Sequence, residues 1–239
     1  MKKTLLTIAL IATMAAGAKA ATLLAWDFTG ASSNATLAAT SVDSTDLDTT
    51  AGLNTLSRGS TAAASAGNNS FRTTGFKNDG ISTSNTDYFQ FSLSGTTGTT
   101  ISFSTLDAKF GGTTSYSTAG TPSQIQFAYS LNGTTFTLIG SPTSFTSNAL
   151  ANAGTSISLS GISALQNVAD TSTVYFRLYA TGATTTGGFG FYSASGGTIG
   201  LDAIGTVASV PEPATIGLLG FGLGMVIWKF RRSKSLAAK

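Results

Sequence analysis

Ile125-Gln126-Phe127-Ala128-Tyr129-Ser130-Leu131-Asn132-Gly133-Thr134-Thr135-Phe136-Thr137-Leu138 alternates apolar and polar positions on both sides of an Asn-Gly pair. Period two is the signature of a strand with one face buried, because successive side chains point to opposite sides of a sheet. Asn-Gly tolerates the positive φ angles that a tight antiparallel turn demands. Ile125, Phe127, Tyr129 and Leu131 therefore form one arm of a hairpin, with Phe136 and Leu138 on the return strand. The same rhythm recurs along the chain. Leu23, Ala25 and Phe28 open it; Phe89, Phe91 and Leu93 follow, then Ile101 and Phe103. Val174, Phe176 and Leu178 alternate with Tyr175, Arg177 and Tyr179, and Ile199, Leu201, Ile204 and Val207 come last. Only Ser163 to Val168 reads as a brief helical turn. Many short strands separated by turn signals predict an all-β antiparallel sandwich of the jelly-roll type.

Two stretches interrupt the rhythm. Ser32 to Thr50 and Gly59 to Asn69 are rich in Ser, Thr and Ala and predict long loops or irregular edge strands. With no cysteine in the chain, no disulfide supports the fold, and stability must come from packing and backbone hydrogen bonds. No repeat of fixed period appears.

Both ends of the sequence read differently from the middle. Met1-Lys2-Lys3 is a positive start, Leu5 to Met14 is apolar apart from threonines, and Ala18-Lys19-Ala20 supplies the small-x-small pattern of a secretory cleavage site. Residues 1–20 thus read as a signal peptide helix, and the mature chain as starting at Ala21. At the other end, Pro211 and Pro213 hold the chain extended around Glu212. Ala214 to Trp228 carries no charge, and Lys229, Arg231, Arg232 and Lys234 follow. Residues 214–230 predict a marginal transmembrane helix. At about 1.5 Å per residue, its uncharged run falls short of a hydrocarbon core of roughly 30 Å unless Trp228 and the cations reach the interface. The positive-inside rule leaves residues 235–239 in the cytoplasm and everything before Pro211 outside it.

Val210-Pro211-Glu212-Pro213-Ala214-Thr215, Gly217-Leu218-Leu219-Gly220 and Arg231-Arg232 together closely resemble the PEP-CTERM sorting signal of Gram-negative bacteria. The resemblance covers residues 209–234. It implies that Val210, Pro211, Glu212 and Pro213 are read by a membrane-embedded exosortase, while Lys229, Arg231, Arg232 and Lys234 stop and orient the tail. It further implies an exported protein held transiently in the inner membrane, then released or re-anchored at the cell surface or in the extracellular matrix, often alongside exopolysaccharide. Residues 21–208 are similar to the β-sandwich modules that precede such tails, through Ala25-Trp26-Asp27-Phe28, the hairpin segment, and Leu201-Asp202-Ala203-Ile204-Gly205-Thr206-Val207. In such modules the first and last strands pair, which would bring Trp26 towards Ile204.

Charge narrows the function classes. The whole chain is +3, but the signal and tail hold most of the cations. Between Ala21 and Val210 there remain Arg58, Arg72, Lys77, Lys109 and Arg177 against nine aspartates, a net of −4. An acidic body has no electrostatic footprint for nucleic acid. There is no histidine or cysteine, and Glu212 is the sole glutamate, so Ser-His-Asp, Cys-His and His/Cys zinc chemistry lack their residues. Two aspartates could serve a glycosidase, but no motif selects a pair. The expectation is a non-enzyme without a cofactor.

Two surface features complete the reading. Asp43, Asp46 and Asp48 form an oxygen-rich cluster that could attract calcium, although it lacks the glycine and distal glutamate of an EF-hand, and a solvated acidic loop is the simpler account. Tyr175, Arg177 and Tyr179 share a strand face that could stack on sugar rings or simply cover the sheet. Two functions follow: an exported non-catalytic surface or matrix protein associated with polysaccharide, or an adhesion module that binds protein partners or copies of itself.

Overall fold

The computed structural model describes residues 20–43, 45–76, 79–113, 116, 123–145, 153–182, 187–194 and 196–210. Among them the first eight strands are β1 (Ala21–Trp26), β2 (Leu37–Ala38), β3 (Ser41–Val42), β4 (Thr55–Arg58), β5 (Ala64–Ser65), β6 (Ser70–Thr73), β7 (Tyr88–Leu93) and β8 (Thr99–Gly112). The next eight are β9 (Ser123–Ser130), β10 (Thr137–Leu138), β11 (Thr143–Phe145), β12 (Ala153–Ser158), β13 (Val168–Ala169), β14 (Val174–Thr181), β15 (Phe189–Tyr192) and β16 (Leu201–Ser209). A 3₁₀ turn at Ser163–Leu165 matches the brief helical turn expected there. Among the described residues no helix is long and apolar enough to cross a membrane. The signal-peptide helix and the transmembrane helix expected at 214–230 lie outside the described residues.

The strands form two antiparallel sheets. One runs β3-β1-β16-β8-β15-β6-β5, with β12 and β13 on the far edge of β8; the other runs β10-β9-β14-β7-β4-β2, with β11 against β9. Aromatic side chains from the inward faces interleave between them, as a sandwich core requires. Phe91 of β7 touches both Trp26 of β1, at 5.1 Å, and Phe176 of β14, at 5.3 Å, while Phe176 meets Phe103 of β8 at 5.3 Å. Phe110, Phe189 and Phe191 stack at the other end. The fully buried Trp26 indole donates its N–H to the Leu37 carbonyl at 3.1 Å, so its one polar atom is satisfied.

The first and last strands do pair. Trp26 stands opposite Leu201 and Thr22 opposite Ile204, with a register shift between Thr22 and Leu24. Period two fails in β1, where Leu23, Leu24, Ala25 and Trp26 are all buried. Both faces of this strand are covered, so alternation has no solvent side to mark.

The Asn132-Gly133 hairpin exists but is wider than the two-residue turn expected. Thr137 pairs with Tyr129 and Leu138 with Ala128, leaving Phe136 outside the return strand. The reason is local side-chain chemistry. Asn132 Oδ1 accepts from the amides of Thr134 and Thr135, and Ser130 Oγ from those of Asn132 and Gly133, so side chains close a larger loop. Gly133 sits at φ +72°, the left-handed region. The Ser/Thr-rich stretches carry the short strands β2, β3 and β5, as irregular edges.

Arg58 is one of several buried side chains with unpartnered polar atoms. Its guanidinium lies 3.7 Å from the Phe71 ring centroid, and Nε donates to the Asn34 carbonyl at 3.0 Å. Nη1 and Nη2 are buried without a hydrogen-bond partner, and burial pulls the group down to about 10.

Candidate functional site

Three surfaces of the sandwich place chemically able residues together. The first lies on the outer face of the larger sheet. Leu106, Ala108 and Phe110 of β8 point into the core, which turns Asp107 and Lys109 outwards. Register then sets Asp107 between Asp202 of β16 and Ser156 of β12, three polar residues abreast on three strands. Lys109 has Gly154 opposite it on one side, and its amide bonds the Gly200 carbonyl on the other. These small neighbours leave a cavity of about 500 Å³ lined by Asp107, Lys109, Thr155, Ser156, Ile199 and Asp202.

Like charges directly opposite across a sheet are unfavourable. Burial and, after it, the neighbouring Asp107 push the Asp202 carboxyl up to about 6, with Lys109 opposing them. Asp107 Oδ1 is buried and has no hydrogen-bond partner. The cavity therefore offers carboxyl acceptors, one ammonium and the Ser156 hydroxyl at close quarters. Sequence reasoning found no rule for choosing two of the nine aspartates. The register of β8 against β16 makes that choice, and no local signal could have done so.

The second surface is the outer face of the smaller sheet, where Tyr175, Arg177 and Tyr179 do share a side of β14. Arg177 is enclosed there. Its guanidinium lies 3.7 Å from the ring centroids of both Tyr88 and Phe136. Nε donates to Gln90 Oε1 at 2.8 Å and Nη1 to the Tyr179 hydroxyl at 3.2 Å. Tyr179 is itself buried and donates to the Thr83 carbonyl at 3.2 Å. Phe136, Tyr179 and Ala128 form a small second core, with Ile81, Tyr88, Leu138 and Tyr175 against it. Tyr175, half-buried beside Gly133, keeps the more accessible ring of the two tyrosines.

The third surface is the end of the sandwich where β16 finishes. Ala208 and Ser209 pair with Thr100 and Thr99, and the Val210 amide donates to the Gly98 carbonyl at 2.7 Å. The Gly98 amide in turn donates to Asp170 Oδ2 at 2.6 Å. Part of the aspartate cluster sits nearby, because the Asp48 amide bonds the Ser94 carbonyl and the Thr96 amide bonds the Asp46 carbonyl. Among the described residues no group of three or more acidic side chains is arranged to hold a metal ion, and Asp43, Asp46 and Asp48 do not form one. Asp48 Oδ1 accepts from both the amide and the hydroxyl of Thr50, which hold this carboxyl below its usual range. Val210 is exposed, and so is Ala20 just before β1. Ala18, Pro211, Glu212, Pro213, Lys229, Arg231, Arg232 and Lys234 lie outside the described residues.

The comparison that decides the class falls on this third surface. Residues 209–233 match the PEP-CTERM protein-sorting motif. The chain is an exosortase-sorted, exported protein. The PEP-CTERM motif supplies a membrane-anchoring sorting signal, and a β-sandwich stands before it. No curated protein and no solved structure matches the chain. The PEP-CTERM motif begins at Ser209, the last residue of β16, so folded body and sorting signal meet without a spacer.

Proposed function

We propose that this protein is a non-catalytic component of the cell surface or extracellular matrix of a Gram-negative bacterium. In this reading residues 1–20 direct export, with Ala18 and Ala20 at the cleavage site. Lys229, Arg231, Arg232 and Lys234 orient the tail in the inner membrane, and the sandwich then associates with exopolysaccharide. The observation that carries the reading is the sorting motif at residues 209–233. The Asp107–Asp202 cavity supports the polysaccharide part, because its carboxyl, ammonium and hydroxyl groups complement sugar hydroxyls. Tyr175 offers an aromatic ring on the opposite sheet.

The test has two arms. Deleting the exosortase should leave full-length protein in the membrane fraction, and unchanged processing would refute the sorting route. Purified sandwich should co-sediment with the producer's extracellular polysaccharide and release no reducing ends from it. Asp107→Ala or Tyr175→Ala should weaken that retention. Retention unchanged in both variants would remove the glycan assignment, and concentration-dependent self-association without glycan binding would favour the adhesion module.

A further inference from the structure

The junction between β16 and the sorting motif has a consequence for how the motif is read. Ser209 is paired to Thr99 as a residue of the strand, and the Val210 amide is committed to the Gly98 carbonyl. Proline has no amide hydrogen, so across Val210-Pro211-Glu212-Pro213 only Val210 and Glu212 can donate a main-chain hydrogen bond. Of the two main-chain donors in these four residues, one is therefore held by the sandwich. The acceptor corner is itself fixed. Gly98 sits at φ +81°, its amide is bound by Asp170 Oδ2, and the Asp170 amide donates to the Thr99 carbonyl at 3.2 Å. The Ser94 hydroxyl donates to the Asp170 carbonyl at 3.0 Å, tying this corner to the residue that follows β7.

Enzymes that process peptides commonly bind them extended, through the substrate's own main-chain groups. One N–H cannot serve the sandwich and an enzyme groove at once. We propose that the Gly98–Asp170 corner is a latch on the sorting motif: the exosortase gains Val210 only when the end of β16 peels from the start of β8, before any bond is cut. This inference rests on the exosortase reading above and adds a control to it. The folded body sets how fast its own tail is processed, and residues 208–210 pass between two partners. Ala208, Ser209 and Val210 are all exposed, so peeling them uncovers little apolar surface and costs mainly hydrogen bonds.

The experiment is pulse-chase processing of the full chain in exosortase-bearing and exosortase-null cells. A short Gly/Ser insertion between Ser209 and Val210 frees the Val210 amide and should speed processing on the order of tenfold, the worth of one or two backbone hydrogen bonds. Asp170→Asn, which weakens the hold on Gly98, should speed it less. Thr99→Cys with Ser209→Cys staples the latch shut. The bonded 210–98 position makes 209–99 a close, non-hydrogen-bonded pair, where a disulfide fits. In the oxidised state this variant should be processed at least tenfold slower, and reductant should restore the wild-type rate, which separates latching from misfolding. Wild-type rates for the insertion and the oxidised staple alike would overturn the latch and leave the sorting route intact. Wild-type chain processed equally without exosortase would overturn both.

Discussion

Replacing Asp202 by asparagine tests whether the cross-strand carboxyl pair is a real electrostatic burden on the sandwich. The folded protein lifts this carboxyl from 3.8 to about 6, through burial first and the facing Asp107 second. At roughly 1.4 kcal/mol for each pH unit, the ionised form carries a cost of up to about 3 kcal/mol. Asp202 is only partly buried, and solvent screening cuts that figure to about 1–2 kcal/mol. The sign follows from a raised acid: the cost is absent below the unfolded value, enters between about pH 4 and 6, and is complete above that. Asp202→Asn should therefore raise the melting temperature by about 2–8 °C near pH 8, taking about 2–4 °C per kcal/mol for a domain of this size. Near pH 3.5, where the Asp202 carboxyl is protonated in the folded protein, the two proteins should melt together. Calorimetry or circular dichroism of the mature chain across that range reads the difference. A gain of equal size at both pH values, or a loss at pH 8, would refute the electrostatic account. Asp107→Asn relieves the same repulsion, so the double variant should gain less than the sum of the two.

Other outcomes follow from the packing. Trp26→Ala removes the indole between β1 and Phe91 and should cost about 3–5 kcal/mol in chemical denaturation, close to unfolding a marginal domain. Arg58→Met keeps most of the side-chain volume and discards two buried unpartnered nitrogens, so it should hold or raise the melting temperature. Arg177→Lys keeps the charge but loses the planar group between Tyr88 and Phe136, and should lower stability by about 1–2 kcal/mol in urea titration. Millimolar calcium or a chelator should leave the melting temperature unmoved, because Asp48 Oδ1 is already occupied by Thr50 and the three aspartates do not converge.

Much of the architecture was legible because its causes are local. Period two in Phe89-Phe91-Leu93 and Val174-Phe176-Leu178 marks strands with one face in the main core, and each pattern lies within a strand of the structure. Legibility stopped where the cause was a neighbour. β1 lost its alternation because both faces are covered. The Asn-Gly turn widened because Ser130 and Asn132 side chains took over its hydrogen bonds. The face of Tyr175, Arg177 and Tyr179 reads either as a sugar platform or as a plain cover for the sheet, and only the fold shows that Tyr88, from a strand distant in sequence, and Phe136 occupy the two sides of Arg177.

The sequence alone determined what depends on residue identity in order along the chain. That covers the all-β class, the want of histidine and cysteine, the acidic body, and a sorting motif whose two prolines act through the backbone they deny. The tertiary structure decided what depends on register: that Asp107 faces Asp202 beside Lys109, and that Gly98 and Asp170 hold the first residues of the motif. Side-chain periodicity says which face of a strand is buried, but not which strand lies beside it. Strand order is fixed only when the two sheets close over one core, so sites built across strands are invisible until then.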